Sequence, residues 1–239
     1  MKNDKVREDT GLLEQTSPAD QRFAVGMDST NLDLCYVAVT FVDGESVTVS
    51  YSGLPGNQPE TYKNFVAMWE NSVIPWTAPP VAKVPITHNS QQGSVTIEGL
   101  TISRNAYIVG YAVGPDITDI CCSSLISAGG LLAAPTQVSI SLNYLGPNGI
   151  SIHYQTLAGY LPQQYNNWIG LWKGYASPYN APTPLATAMI NSDASEGTVN
   201  MDVPLQTDTN YTLIYFMGKD RTMAAAILNF NTSDSTTGI

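Results

Sequence analysis

Charge is what this 239-residue sequence has least of: Asp, Glu, Lys and Arg together make up 13% of it, roughly half the ~25% of an ordinary soluble domain. Ten basic side chains stand against twenty acidic ones, for a formal net charge of −10. A chain so poor in cations repels polyanions, and nucleic acid is excluded as an expected partner. Ser, Thr, Asn, Gln and Gly must then cover the surface. Such a surface suits a densely associated or sugar-facing protein, and an inert one equally.

Cysteine and histidine are also scarce. Cys35, Cys121 and Cys122 form an odd set with two members adjacent, which makes a poor disulfide framework, because neighbouring cysteines bridge only through a strained turn. They are expected as reduced, mostly buried thiols; a vicinal redox pair and a three-thiolate metal site are the alternatives, the latter needing Cys35 brought across the fold. The two histidines, His88 and His153, occupy unrelated places in the pattern described below. No stretch approaches the ~18 apolar residues of a membrane span, and the opening MKNDKVREDT holds no apolar run. The expectation is a soluble, cytoplasmic protein without a signal peptide, secretion after processing being the alternative. Nucleotide-binding glycine loops, HExxH, GxSxG and CxxC are all missing. No catalytic residue, cofactor or metal is therefore expected, and a loop calcium site at Asp116, Asp119 or Asp220 lacks a DxDxD array.

What is present is repetition. YNNWIGLW at 165–172 has a partner, YKNFVAMW, at 62–69. At the same offset of 103 positions Tyr51 matches Tyr154, Pro59 matches Pro162 and Pro75 matches Pro178. After a one-residue slip, Gly93 matches Gly197, Tyr107 matches Tyr211, Tyr111 matches Tyr215 and Asp116 matches Asp220. A shared register of aromatics, prolines and glycines marks an internal duplication of a unit of roughly 100 residues, a normal domain size.

Each copy is written in strands. CYVAVTF, the turn at Asp43 and Gly44, and SVTVSY make one hairpin; TQVSISLNY, GPNG and ISIHY make its duplicate. Alternation sets Val47, Val49 and Tyr51 on one face in the first copy. In the second it sets Val138, Ile140, Leu142 and Tyr144 on one side, and leaves His153 outward. The repeated YxNxxxxW segment, a short strand apolar on both sides, three further strand signals and a terminal one follow in each copy, giving about seven short strands per unit, the pattern of a small antiparallel sandwich. The expected organisation is an N-terminal arm at 1–30, a first domain at 31–130 and a second at 136–239, joined by the short, partly apolar GGLLAAPT.

Two readings compete for Trp69 and Trp172, which close the repeated motif: plugs between the sheets, or an exposed aromatic platform for a sugar or peptide. The loops after them, WENSVIPWTAPP and WKGYASPYNAPT, are dense in Trp, Tyr and Pro at matching positions. Aromatics on a stiff loop give contact area at low entropic cost. Trp69, Trp76, Trp172, Tyr175 and Tyr179 are accordingly the candidate binding residues, while Arg104 and Arg221 could each hold a carboxylate without any neighbour that makes this specific.

The stretch YLPQQYNNWIGLWKGYASPY resembles the signature of SKICH-type and related immunoglobulin-like modules. Tyr154, Pro162, Trp168, Ile169, Gly170, Leu171, Trp172 and Lys173 carry the likeness, with NYTLIYFMGKD at 210–220. The first copy departs from it at Phe65, Ala67 and Glu70. The resemblance implies a targeting or protein-binding role and brings no catalytic residue. The sequence thus points to an all-β protein of two tandem immunoglobulin-like antiparallel β-sandwiches. It would act as a non-enzymatic binding or self-assembling structural protein, with a protein or glycan ligand or a second copy as partner. The competing expectation is an enzyme or small-molecule binder with its pocket between the two domains.

Overall fold

The computed structural model describes residues 31–233; the expected arm at 1–30 lies outside the described residues. The first half contributes β1 (Asn31–Leu34), β2 (Tyr36–Val42), β3 (Val47–Ser52), β4 (Phe65–Trp69), β5 (Ala82–Pro85), β6 (Gln92–Ile97), β7 (Tyr107–Ala112) and β8 (Ile120–Ile126). The second contributes β9 (Thr136–Gln137), β10 (Ser139–Gly146), β11 (Gly149–Gln155), β12 (Trp168–Lys173), β13 (Ala186–Met189), β14 (Glu196–Asp202), β15 (Asn210–Phe216) and β16 (Ala224–Asn231). They form two tandem immunoglobulin-like β-sandwiches from an internal duplication. A three-stranded sheet β2-β3-β6 packs on a five-stranded sheet β5-β4-β7-β8-β9, and β10-β11-β14 packs on β1-β16-β15-β12-β13.

The sheet orders contain an exchange. β1, at the head of the first repeat, pairs with the last strand of the second, Leu34 opposite Ala226 and Asn31 opposite Asn229. β9, which leads into the second repeat, pairs with the last strand of the first, Thr136 opposite Ser123. The crossing points match: Cys35 donates its amide to Ala225 at 3.2 Å, and Val138 donates its amide to Cys121 at 2.8 Å. Each leading strand is thus one long segment whose first part belongs to the other sandwich and whose second part belongs to its own. The contact is reciprocal, as in a two-fold dimer interface, though both partners lie on one chain. The linker expected to join two separate domains runs as turn and loop, touches β8 through a bridge from Leu132 to Ile126, and enters sheet at Thr136.

The repeated motif codes a turn. Lys63 and Asn166 both sit at φ 58°, in the left-handed region, where they reverse the chain ahead of the central strand. The amides of Asn64 and Asn167 close these turns on the carbonyls of Pro59 and Pro162 at 2.8 and 2.9 Å. That reversal aims Asn64 and Asn167 into the interior, where both are fully buried.

Alternation holds through most of the hairpins and then slips. Val47, Val49, Tyr51, Ile150, Ile152 and Tyr154 face the core as expected. In β10 the register shifts between Leu142 and Tyr144, a β-bulge with its duplicate between Val39 and Phe41 in β2. The extra residue turns the strand over, so Leu145 is buried and Tyr144 is not.

Candidate interaction surface

β4 and β12 are apolar on both faces because both faces are covered. Val66 and Met68 point between the sheets, while Phe65, Ala67 and Trp69 join Ile74, Ile108, Ala112 and Ile120 in a second cluster on the outer face of the five-stranded sheet. The tryptophans are therefore not inter-sheet plugs. They lie under the Trp/Tyr/Pro loops that follow them, which fold back as lids over the outer face. Trp69 is 3% exposed and donates its indole N–H to Ala78 at 3.0 Å; Trp172 is 2% exposed and donates to Pro182 at 2.9 Å. An external ligand reaches neither.

The outer faces differ in a compensated way. In the second repeat Trp168 stacks on Phe216 at 4.1 Å. A Cβ on Gly170 would overlap the Trp172 ring. In the first repeat the smaller Phe65 and Ala112 stand where Trp168 and Phe216 are, leaving room for Ala67. A cation caps each face. The Lys83 ammonium lies 3.7 Å from the Phe65 ring centre and donates to Pro115 at 2.8 Å. Arg221 lies 5.8 Å from Trp172 and donates to Ala181 and Pro182 at 2.8 and 2.9 Å. Its guanidinium holds its own loop rather than a ligand's carboxylate.

Trp76 and Tyr179 reach further, to the other repeat. Trp76 donates its indole N–H to Ala158 at 3.0 Å and meets Tyr160 edge-on at 4.8 Å. Tyr179 stacks on Tyr62 at 5.4 Å and packs against Gly56. These two candidates form a reciprocal clamp between the sandwiches. Tyr175 alone of the five stands free, 76% exposed.

Beneath the clamp lie two polar centres that single-residue sequence patterns did not reveal. In the second repeat Asn167 donates to Tyr160 Oη at 3.0 Å and to the Met217 carbonyl at 2.6 Å, and accepts from Tyr215 Oη at 2.7 Å. Tyr160 Oη also lies 2.8 Å from the carbonyl of Thr118, in the first repeat. At the duplicate position of Tyr160 the first repeat has Asn57, too short to cross. Asn57 donates to Asn64 Oδ1 and to Tyr111 Oη, each at 2.9 Å. Three buried atoms there, Asn57 Oδ1, Asn64 Nδ2 and Tyr179 Oη, have no protein partner. Burial pushes the phenols of Tyr111, Tyr160, Tyr179 and Tyr215 up, so all four stay protonated.

The remaining ionisable groups do not converge. Cys35, Cys121 and Cys122 are free and buried. A hydrogen bond with Cys121 and burial push the Cys35 thiol up, and burial does the same for Cys121 and Cys122. Asp119 accepts from the Asp116 amide at 2.9 Å, and burial raises its carboxyl from 3.8 to about 6. Its duplicate is Met223. Among the described residues no group of three or more His, Cys, Asp or Glu is placed to hold a metal ion. No helix among them is long and apolar enough to cross a membrane.

No protein-family model matches the sequence, and no curated protein matches it. Solved structures do. A biofilm-associated protein's BSP domain is 18% identical with a TM-score of 0.26, over 87% of this chain and 30% of its own. A DUF3823 family protein from Bacteroides ovatus is 10% identical with a TM-score of 0.28, over 82% of this chain and 95% of its own. The two tandem V-type regions of a v-region-containing chitin binding protein are 11% identical with a TM-score of 0.25, over 84% of this chain and 100% of their own. Likeness at this level assigns no function to the chain.

Proposed function

We propose that this chain is a non-enzymatic binding or self-assembling structural protein, in its finer form a SKICH-type pair of modules, that presents its ligand surface on the second repeat. The observation that carries this reading is Tyr175. It is exposed, yet the loop beneath it is tied at both sides: Gly174 donates its amide to Asn210 at 2.7 Å and Ala176 donates its amide to Thr212 Oγ1 at 3.2 Å. An aromatic ring held this way loses little freedom when it meets a flat apolar face of a sugar or a protein. The duplicate position in the first repeat is Ser72, so the feature belongs to one half only.

The exchange of leading strands supports the same role, because it makes the two sandwiches one stiff support. Sedimentation of the full chain, together with glycan-array binding, tests the reading. A defined oligomer or a saturable glycan signal, weakened at least tenfold by Tyr175→Ala, is expected. A monomer that binds nothing on the array, or binding indifferent to Tyr175→Ala, sinks it.

A further inference from the structure

The two outer faces differ at one more place, and the difference leaves a hole. Between the loop at Ser72–Ile74, the faces of β7 and β8, the linker before β9 and the second repeat's Leu157 lies a pocket of about 250 Å³, open to solvent where Ser72, Val73, Ala133 and Thr136 are exposed. Val73, Ile74, Ile108, Leu125, Ala133 and Leu157 supply most of its wall, and no ionisable side chain lines it. Its hydroxyls are those of Ser72, Ser123 and Thr136, of which Ser123 and Thr136 bond each other at 2.8 Å.

The second repeat carries bonded polar side chains at the matching positions. Where the first has Ile108, Leu125 and Val73, the second has Thr212, Asn229 and Ala176. The Thr212 hydroxyl lies 2.7 Å from Asn229 Oδ1 and 2.9 Å from the Gly174 carbonyl, and accepts from Ala176. That stitch draws the loop onto the sheet. Ile108 and Leu125 offer no such bond, and the amides of Ser72 and Val73 turn to their own neighbour Asn71 Oδ1 at 2.7 and 3.4 Å. The loop stands off, and the space beneath it is aliphatic.

The aliphatic inner wall suits ordered water badly, since a water needs two to four polar partners, and an enclosed apolar cavity of ~150 Å³ takes up benzene. A charged guest would surrender its hydration with no counter-charge to meet it. We propose that this cavity is a binding site for a small uncharged apolar molecule, on the scale of one aromatic ring or a short branched alkyl chain. The Ser123 and Thr136 hydroxyl pair forms its one polar edge. This site is separate from the surface at Tyr175, and either stands without the other.

Methyl NMR of the full chain tests it, with toluene as probe and benzoate as the charged control. Toluene is expected to shift the methyl signals of Leu125 and Leu157 saturably, and benzoate to leave them in place. Ala133→Leu, at an exposed backbone position on the cavity wall, fills the space and should weaken toluene at least tenfold. The double change Ile108→Thr with Leu125→Asn imports the second repeat's residues and should abolish the shift of the remaining reporter, Leu157. Should that variant fail to fold, Ala133→Leu alone decides. Shifts that never saturate, an equal response to benzoate, or undiminished binding in Ala133→Leu would overturn the assignment.

Discussion

The second repeat is finished where the first is not. Asn167, Tyr160 and Tyr215 form a closed set of bonds that also crosses to Thr118, while Asn57, Asn64 and Tyr179 leave three buried polar atoms without protein partners. Thr212 stitches one loop down, and Ile108 leaves the other standing over a cavity. One ancestral sandwich has diverged into a half that holds the molecule together and a half that keeps space and unpaired groups. Closed bonding and open space have been separated between the copies, while the exposed Tyr175 belongs to the closed one.

The comparison breaks first at the paired asparagines. Asn167→Ala should cost about 4 kcal/mol, because each buried group left without its bond carries its own desolvation penalty, against about 2 kcal/mol for Asn64→Ala. Urea unfolding gives both values; equal costs would erase the distinction. Asp119 offers a second contrast, since the duplicate Met223 does not titrate. Its carboxyl is raised from 3.8 to about 6 in the folded chain. The proton therefore binds the native state more tightly, and the associated stability is full below about pH 4 and lost as pH rises through 6, about 3 kcal/mol in all. Asp119→Asn should flatten that slope between pH 4 and 7, and an unchanged slope would clear Asp119 of the role.

Tyrosine hydroxyls sharpen the contrast at smaller scale. Tyr160→Phe removes the group that bonds Asn167, Met217 and Thr118 and should cost about 2 kcal/mol. Tyr179→Phe removes a buried hydroxyl with no protein partner and should add up to about 1 kcal/mol. Melting temperatures that move in opposite directions are the expected result; a loss in both variants would mean that the Tyr179 hydroxyl is held after all.

Much of this architecture was legible in the residues. The offset between YKNFVAMW and YNNWIGLW exposed the duplication, and period-two alternation marked the hairpins, whose expected inward residues from Val47 to Tyr51 and from Ile150 to Tyr154 are buried. Three things were not legible. Alternation gives a strand's faces but not its partner, so β1 and β9 read as parts of their own domains. A bulge inserts one residue without any compositional mark, which hid the outward turn of Tyr144. A strand apolar on both faces does not say which face a tryptophan takes, and Trp69 and Trp172 went to the outer one. Of the binding residues inferred from the sequence, Tyr175 stands at the surface, and the clamp formed by Trp76 and Tyr179 was invisible because it depends on the other repeat. The asymmetry at Asn57 and Tyr160 was present in the alignment of the copies as a mismatch, the one signal that could have pointed there.

The exchanged strands also set an order of assembly. Cys35 meets Ala224 across 189 positions of chain, so β1 must wait for β16 to be made before it can pair. The first sandwich can gain its borrowed edge once β9 has been made, but the second cannot close until β1 returns to it. Pairing at such sequence separation is slow, because the entropy of closing a long loop must be lost before the contact is rewarded. The first sandwich should therefore be complete before the second, whose closure on β1 is the late step.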